Sequence, residues 1–314
     1  MRDILFVKTS SLGDVVHHMP AVTDAARHCP GRKLSWIVEE DFAPLARLHP
    51  AVSDIIPVAA RRWRSSILSA STWNEMRAFT KRLRERSDET IIDTQGLIRS
   101  ALIVRRTRGE KHGYDSDSIR EPLASRVYDI KHKVSRTLHA VTRNRALTAL
   151  ALGYTPGDAI DYGLPRAQAS SASPYAILQH GTSREAKQWR EVDWIGIGQW
   201  LSKRGFEVVI PWGSQPERVT SERLAAAIKN SRILPRQPLD LTARTIASAS
   251  LVVGVDTGLL HLAAAYGVPL IAIFIATEPG LTGPVGQGPI RVLGGKGVYP
   301  SFVQAIAAAE ALLG

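Results

Sequence analysis

The chain has 314 residues, 44% hydrophobic and 22% charged, a globular balance that excludes disorder and leaves room for two domains. Its longest apolar run, near 268–276, is too short to span a bilayer. The start, MRDILFVKTSS, has no small-residue cleavage site, so no signal peptide is expected. A single cysteine, Cys29, excludes an internal disulfide and fits a reducing, cytoplasmic compartment.

In chain order, ILFVK at 4–8 reads as a strand and 13–28 as a helix. Strands follow at 34–38, 54–58 and 90–93, with helical stretches at 75–86 and 97–106 and a longer helix over 136–152 that stops at Gly153. Such alternation predicts a parallel sheet with helices on both faces. Net charge is +11, and residues 61–145 hold 20 Lys and Arg against 10 Asp and Glu, so nearly the whole surplus lies in this stretch. A surplus of that kind attracts nucleic acid, anionic lipid or a phosphorylated substrate. Single arginines read as solvated face, but Arg61, Arg62 and Arg64 around Trp63 form a set of forked cations suited to phosphate or carboxylate.

PRAQASSASP at 165–174 is small, polar and bracketed by prolines, the best linker in the chain. After it the alternation restarts, with strands at 175–179, 206–212, 250–256 and 268–274, helices near 192–203 and 217–230, and an alanine-rich helix over 301–313. The expected division is a domain over 1–165, a linker over 166–174, a second domain over 175–300, and a last helix over 301–314 that can pack back on either domain, the N-terminal one being the candidate. The fold class is α/β, two doubly wound Rossmann-like domains facing a central cleft, with ligands expected beyond the strands' carboxyl ends.

The suggestive residues fall in the loops that follow strands: 9–14, 59–64, 94–96, 180–187, 212–217 and 256–261. The run SLVVGVD, then Thr257 and Gly258, then LLHLAAAYG, carries a buried strand into a helix. Such a junction offers free N–H groups and a positive helix end to a phosphate, with Asp256 and His261 suited to sugar hydroxyls. A capped helix with no ligand is the plain alternative. In the first loop, KTSSLGD holds Asp14 at a helix start, either an N-cap or a general base. In HGTSREAKQW, Thr182 and Ser183 supply hydroxyls, and Lys187 supplies a point charge for a departing diphosphate. Glu217 stands where a carboxylate takes ribose hydroxyls or simply sits in a first helical turn. Asp115-Ser116-Asp117 has the acid-x-acid form of some metal-binding glycosyltransferase loops, but it is read as a turn because no strand is expected to lead into it. No histidine or acid grouping calls for a metal.

Taken together, KTSSLGDVVHHMPA at 8–21, RRWR at 61–64, IIDTQGLIRSAL at 91–102, IREPLAS at 119–125, HGTSREAKQW at 180–189, PWG at 211–213 and VDTGLLHLAAA at 255–265 resemble the lipopolysaccharide heptosyltransferases of glycosyltransferase family 9, which have a two-domain GT-B fold. The DTQGL and REPLAS segments are similar to the branch that adds the first heptose. The resemblance implies an inverting transfer of heptose from an ADP-heptose donor to the Kdo of Kdo2-lipid A, with no metal, no other cofactor and no nucleic-acid partner, on the cytoplasmic face of the inner membrane with peripheral contact to anionic lipid. It implies Asp14 as the base and Lys187 as the catalytic cation. It implies Thr182, Ser183, Lys187, Glu217, Gln237, Asp256, Thr257, Gly258 and His261 as donor contacts. Acceptor contacts would be Ser10, Gly13, Arg61, Arg62, Arg64, Arg120 and His139. Three places depart from the pattern: Ser183 replaces a second threonine, FIATEPG at 274–280 replaces a glycine-proline-threonine-acid run, and Gln237 replaces an apolar residue near the adenine. On the residues alone, another nucleotide-sugar enzyme of this fold and a non-catalytic basic module for anionic lipid or nucleic acid stay open.

Overall fold

The computed structural model describes residues 3–87, 90–165, 174–182 and 184–314. The chain forms two compact units, Met1–Gly163 and Leu164–Gly314. The expected linker lies almost wholly outside the described residues, as does Ser183.

In the first unit, strands β1 (Ile4–Val7), β2 (Leu34–Glu39), β3 (Val52–Val58), β4 (Thr90–Asp93), β5 (Glu110–Tyr114) and β6 (Ile130–His132) alternate with helices α1 (Leu12–His28), α2 (Ala43–Ala46), α3 (Ala60–Ser65), α4 (Ala70–Glu85), α5 (Ile98–Val104) and α6 (Ala140–Leu152). Strands β1 and β4 are buried at every position, as their apolar runs demand when helices cover both faces. All neighbours are parallel, in the order β3-β2-β1-β4-β5-β6. The chain therefore leaves β1 toward one edge and returns past it to β4, opening a crevice at the carboxyl ends of these two strands. Helix α6 closes the unit against α1 through a buried ion pair, Arg145 Nε to Asp24 Oδ2 at 2.6 Å, and through Asn144 Nδ2 donating to His17 O at 3.0 Å. One arginine of the basic surplus is thus a structural tie.

The second unit repeats the winding. Its elements are β7 (Tyr175–Gln179), α7 (Glu191–Lys203), β8 (Glu207–Ile210), α8 (Gln215–Ala227), β9 (Ser231–Ile233), α9 (Leu239–Ala247), β10 (Leu251–Val255), α10 (Gly258–Ala265), β11 (Leu270–Phe274), β12 (Ile290–Gly294) and α11 (Phe302–Leu313). The parallel order β12-β11-β10-β7-β8-β9 puts β7 where β1 stands in the first sheet and β10 where β4 stands.

Three expectations need correction. The last helix packs within its own unit: Ala305, Ala308 and Ala309 of α11 join a core with Trp194, Ile197 and Leu201 of α7. A Cβ at Gly196 would stand 2.8 Å from the Phe302 ring, so the glycine lets the two helices close. The RRWR segment is not a loop but the short helix α3. A strand, β5, does lead into Asp115; the acid itself still makes a turn, its Oδ1 accepting from the Ser118 N–H at 2.8 Å.

His49 gives the first unit an acid-sensitive joint. It is 2% exposed; its Nδ1 accepts from the Ala51 N–H at 3.3 Å, and its Nε2 lies 2.9 Å from Thr23 Oγ1, a pattern that suits the neutral ring. Burial drives its pKa down to about 4, against the opposing pull of Asp161. A depressed histidine pKa contributes stability above the unfolded value, and that contribution disappears as pH falls through the folded value. Between pH 6.5 and 4 the loss is about 3 kcal/mol. His49→Gln should therefore show a flatter fall in urea midpoint between pH 7 and 4.5 than the wild type.

Candidate functional site

In the first unit the site is the pair of loops that leave β1 and β4. Gln95 ties them together: its Oε1 accepts from the N–H groups of Thr9 at 3.0 Å and Ser10 at 3.1 Å. Lys8 adds a second tie, donating from Nζ to Thr94 O at 3.0 Å while standing 3.8 Å from Asp14 Oδ1. Burial lowers the Lys8 pKa, opposed by the carboxylates of Asp14 and Asp93.

Asp14 uses one oxygen for the helix and presents the other. Its Oδ2 accepts from the Ser11 N–H at 2.7 Å and from Ser11 Oγ at 3.2 Å, closing the first turn of α1. Oδ1 faces Lys8, and the side chain is 40% exposed. The N-cap expected at Asp14 falls instead on Ser11; Asp14, at the third helical position, closes the capping box and leaves Oδ1 outside it.

Asp93, the acid of DTQGL, holds the loop and is fully buried. Its Oδ1 accepts from the N–H groups of Gln95 at 2.9 Å and Gly96 at 3.1 Å, and its Oδ2 accepts from the Tyr128 hydroxyl at 2.8 Å. Burial raises its pKa and these bonds oppose the rise. Gly113 admits the Tyr128 ring, since a Cβ there would lie 2.2 Å from it.

The residues expected to meet an anionic acceptor are placed unevenly. Arg120 and Arg99 wall one cavity of about 480 Å³ on the N-terminal side of α5, and Arg99 Nη2 donates to Ser10 Oγ at 2.7 Å. Gly13 is half-buried in the first turn of α1. Arg64 is exposed and forms no ion pair among the described residues. Arg61 lies 5.0 Å over the Phe42 ring, with its backbone N–H given to Glu39 Oε1 at 2.9 Å. Arg62 is committed elsewhere: its fork meets Glu40 at 2.9 and 3.0 Å and Glu75 at 2.8 and 3.1 Å. His139 caps α6, its Nδ1 accepting from the Val141 N–H at 3.2 Å, with its ring against His17.

In the second unit the corresponding loops follow β7 and β10. Lys187 Nζ pairs with Asp256 Oδ2 at 2.5 Å, and Thr277 Oγ1 donates to the same oxygen at 2.9 Å. Thr277 comes from the 274–280 loop, where the sequence departs from the family pattern. Thr257 caps α10 and Gly258 opens it, so the first amides of that helix are aimed beyond the sheet. The hydroxyls of Thr182 and Thr257 are buried without a hydrogen-bond partner among the described residues, and so is the amide of Gln179 at the end of β7. Orphaned groups of this kind are expected where a ligand completes the bonding.

Glu217 sits at the third position of α8. Its Oε2 accepts from the N–H groups of Gly213 at 2.7 Å and Ser214 at 3.0 Å, and it packs so closely on Gly181 that a Cβ there would fall 2.7 Å from it. Thr182 and Glu217 share a cavity of about 760 Å³ with His180 and Arg223. His261 lies buried in the first turns of α10. Gln237 turns to α9, its Nε2 reaching Thr245 Oγ1 at 3.4 Å.

The structure therefore brings together Ser10, Asp14, Arg99 and Lys8 in one unit, and Thr182, Lys187, Asp256, Thr257 and Gly258 in the other. Four contributors were not singled out from the sequence: Lys8, Gln95, Arg99 and Thr277. The first three lie inside quoted motifs, and their position one to six residues past a strand end was the available signal.

Comparison with known proteins fits this geometry. The Escherichia coli heptosyltransferase WaaC solved with ADP superposes with a TM-score of 0.93 at 39% identity over 99% of both chains. The same enzyme with ADP-2-deoxy-2-fluoro heptose gives 0.90 at 38% identity, again over 99% of both. Two doubly wound parallel-sheet units with these neighbours make the chain a glycosyltransferase of the GT-B type. The profile of glycosyltransferase family 9 (heptosyltransferase) matches residues 76–309, and the chain belongs to that family. It is 45% identical to lipopolysaccharide heptosyltransferase 1 of Pseudomonas aeruginosa, over 92% of this chain and 83% of that one.

The Gln95 tie can be tested directly. Gln95→Leu removes the acceptor from two N–H groups, which should cost about 1–3 kcal/mol of stability. Exchange of the Thr9 and Ser10 amides, followed by NMR, should quicken by at least about tenfold while the β4 amides keep their protection.

Proposed function

We propose that this enzyme transfers L-glycero-D-manno-heptose from ADP-heptose to the Kdo of Kdo2-lipid A, the step that opens the heptose region of the lipopolysaccharide core. Four features support the reading: family membership, likeness to an enzyme solved with ADP and with an ADP-heptose analogue, a basic first unit suited to an anionic acceptor, and the grouped polar residues of the second. The observation that carries it is the set around α10. There the orphaned Thr182 and Thr257 hydroxyls, the free helix amides and the Lys187–Asp256 pair gather at the ends of adjacent strands.

In this reading the diphosphate of the donor lies on the α10 amides, with Thr257 and Thr182 as hydroxyl donors and the Lys187 ammonium against its charge. Glu217, whose bonds to the backbone all fall on Oε2, has Oε1 to offer the ribose. Asp14 Oδ1 takes the proton from the Kdo hydroxyl. That oxygen attacks the anomeric carbon from the face opposite the leaving group, the bond from the anomeric carbon to the phosphate oxygen breaks, and ADP departs with the electron pair. One displacement gives inversion. Lys187 and the α10 terminus stabilise the charge that develops on the leaving diphosphate, where preorganised donors act most strongly. Arg64, Arg120 and Arg99 are the cations the first unit offers to acceptor phosphate and carboxylate groups. No helix among the described residues is long and apolar enough to cross a membrane.

Two variants separate the roles. Asp14→Ala should lower turnover by about 10²–10⁴-fold, the usual contribution of a general base, with ADP affinity by calorimetry unchanged; near-normal turnover in this variant would remove Asp14 from the mechanism. Lys187→Ala should lower transfer by about ten- to a thousandfold and weaken ADP binding as well, because the ammonium meets the nucleotide's own charge.

A further inference from the structure

Three exposed apolar side chains, among them Leu68, the most exposed one described in the first unit, lie close together at the turn between α3 and α4. Leu68 is 98% exposed, Ile67 50% and Trp73 48%. Single exposed apolar residues are ordinary, but two on a turn and a third in the first turn of the helix after it are not. The turn is held outward. Arg62 joins Glu40 to Glu75, the Trp63 indole donates to Glu75 Oε2 at 2.9 Å, and Ser66 Oγ meets Thr72 Oγ1 at 3.1 Å. Trp63 also meets the Phe79 ring edge-on. These bonds use the polar groups of the hairpin and leave its apolar tip in water.

Charge surrounds that tip. Residues 61–84 hold seven Lys and Arg and one acid, Glu75, which is already bonded to Arg62 and Trp63. Along α4, the helical period puts Trp73, Arg77, Lys81 and Arg84 on one face. Arg82 lies on the opposite side and is paired with Asp54. Arg77 and Arg84 form no ion pair among the described residues, and Lys81 reaches only an exposed Glu85 at 3.8 Å. Helix α4 buries little of itself in the unit: Thr72 and Leu83 are its only fully buried residues among those described.

An apolar tip, then a tryptophan, then a row of cations is the order of chemistry met on crossing a bilayer surface outward from acyl chain to interface to anionic headgroup. We propose that the α3–α4 turn is a membrane anchor: Ile67 and Leu68 enter the acyl region of an anionic bilayer, Trp73 sits at the interface, and Arg77, Lys81 and Arg84 lie against the headgroups. The proposal extends the reading of a lipid acceptor, and a binding assay without acceptor or donor separates its failure from the failure of that reading.

The full chain is floated with phosphatidylcholine vesicles, with and without phosphatidylglycerol. Binding should require the anionic lipid. Leu68→Ser should weaken it by about tenfold to a hundredfold, the worth of one buried leucine. Arg77→Gln and Lys81→Gln should each weaken it by about fivefold. Vesicles carrying brominated acyl chains should quench the wild-type fluorescence more than that of Trp73→Phe. The proposal is overturned if the wild type does not float with anionic vesicles, if Leu68→Ser binds as the wild type does, or if the Trp73→Phe variant is quenched equally. A change in Leu68→Ser from dimer to monomer with unaltered flotation would also overturn it, making the tip a contact between copies.

Discussion

Each sheet places its first strand at the middle, between its second and its fourth, and everything else in the site follows from that constraint. Because β1 hands the chain to one edge and β4 hands it to the other, no connection covers the gap between their carboxyl ends. The same holds for β7 and β10. Backbone amides that would be buried under a crossover are left open there, and polar side chains can sit among them at no cost in packing. The catalytic candidates are therefore distributed by topology before any chemistry is specified.

An open crevice needs ties, and the two units supply them differently. In the first, the ties are neutral or fully buried: Gln95 takes two amides, Asp93 organises its own loop with Tyr128, and the Lys8 ammonium spans to Thr94 O. These hold the β1 loop rigid, and a rigid loop is what lets Asp14 keep one oxygen on the Ser11 N–H and the other in a fixed direction. In the second unit the principal tie is ionic, Lys187 to Asp256, both largely buried, and the nearby hydroxyls lack partners among the described residues. An ion pair beside orphaned hydroxyls is a costly resting arrangement. It suits a site whose bonding is completed by an incoming anion, since Lys187 then gains a second negative neighbour and the hydroxyls gain acceptors.

How far this was legible in the sequence depended on which signal each element used. Strands such as ILFV, TIID and LVVGV announce themselves because both faces are buried and nearly every residue must be apolar. EKHGY of β5 and SRI of β9 do not: one is polar with a glycine, the other three residues long, and both are kept in the sheet by their neighbours rather than by composition. That is why Asp115 appeared to lack a preceding strand. RRWR looked like a loop because a six-residue helix carries no hydrophobic period. The place of α11 stayed open for a related reason: an alanine-rich face fits several partners, and the structure sets it on α7, where Gly196 makes room for the Phe302 ring. At the site, residue types and loop positions were readable. Partnerships were not, so Arg62 was assigned outward although two carboxylates hold it, and Gln95 and Thr277 were passed over although each completes a tie.

The partnerships also bear on what the basic surplus does. Arg145 is buried on Asp24, Arg62 is clamped by two glutamates, and Arg86 and Arg82 both reach Asp54. Once these are set aside, the remaining cations are not spread evenly. Arg99 and Arg120 border the β1–β4 crevice, and Arg77, Lys81 and Arg84 run along the outside of α4 beneath the Ile67–Leu68 tip. A count of charges treats the two groups as one field, but their ranges of action differ. Cations lining a concave wall act at contact distance on phosphate or carboxylate groups, with geometry deciding their worth. Those on a convex helix act through a field that salt screens within about 10 Å, so they become effective only when a charged surface comes close. Anchoring an enzyme to a lipid surface and gripping one lipid's headgroup are therefore separable tasks, and in the reading proposed above each would fall to its own set of side chains.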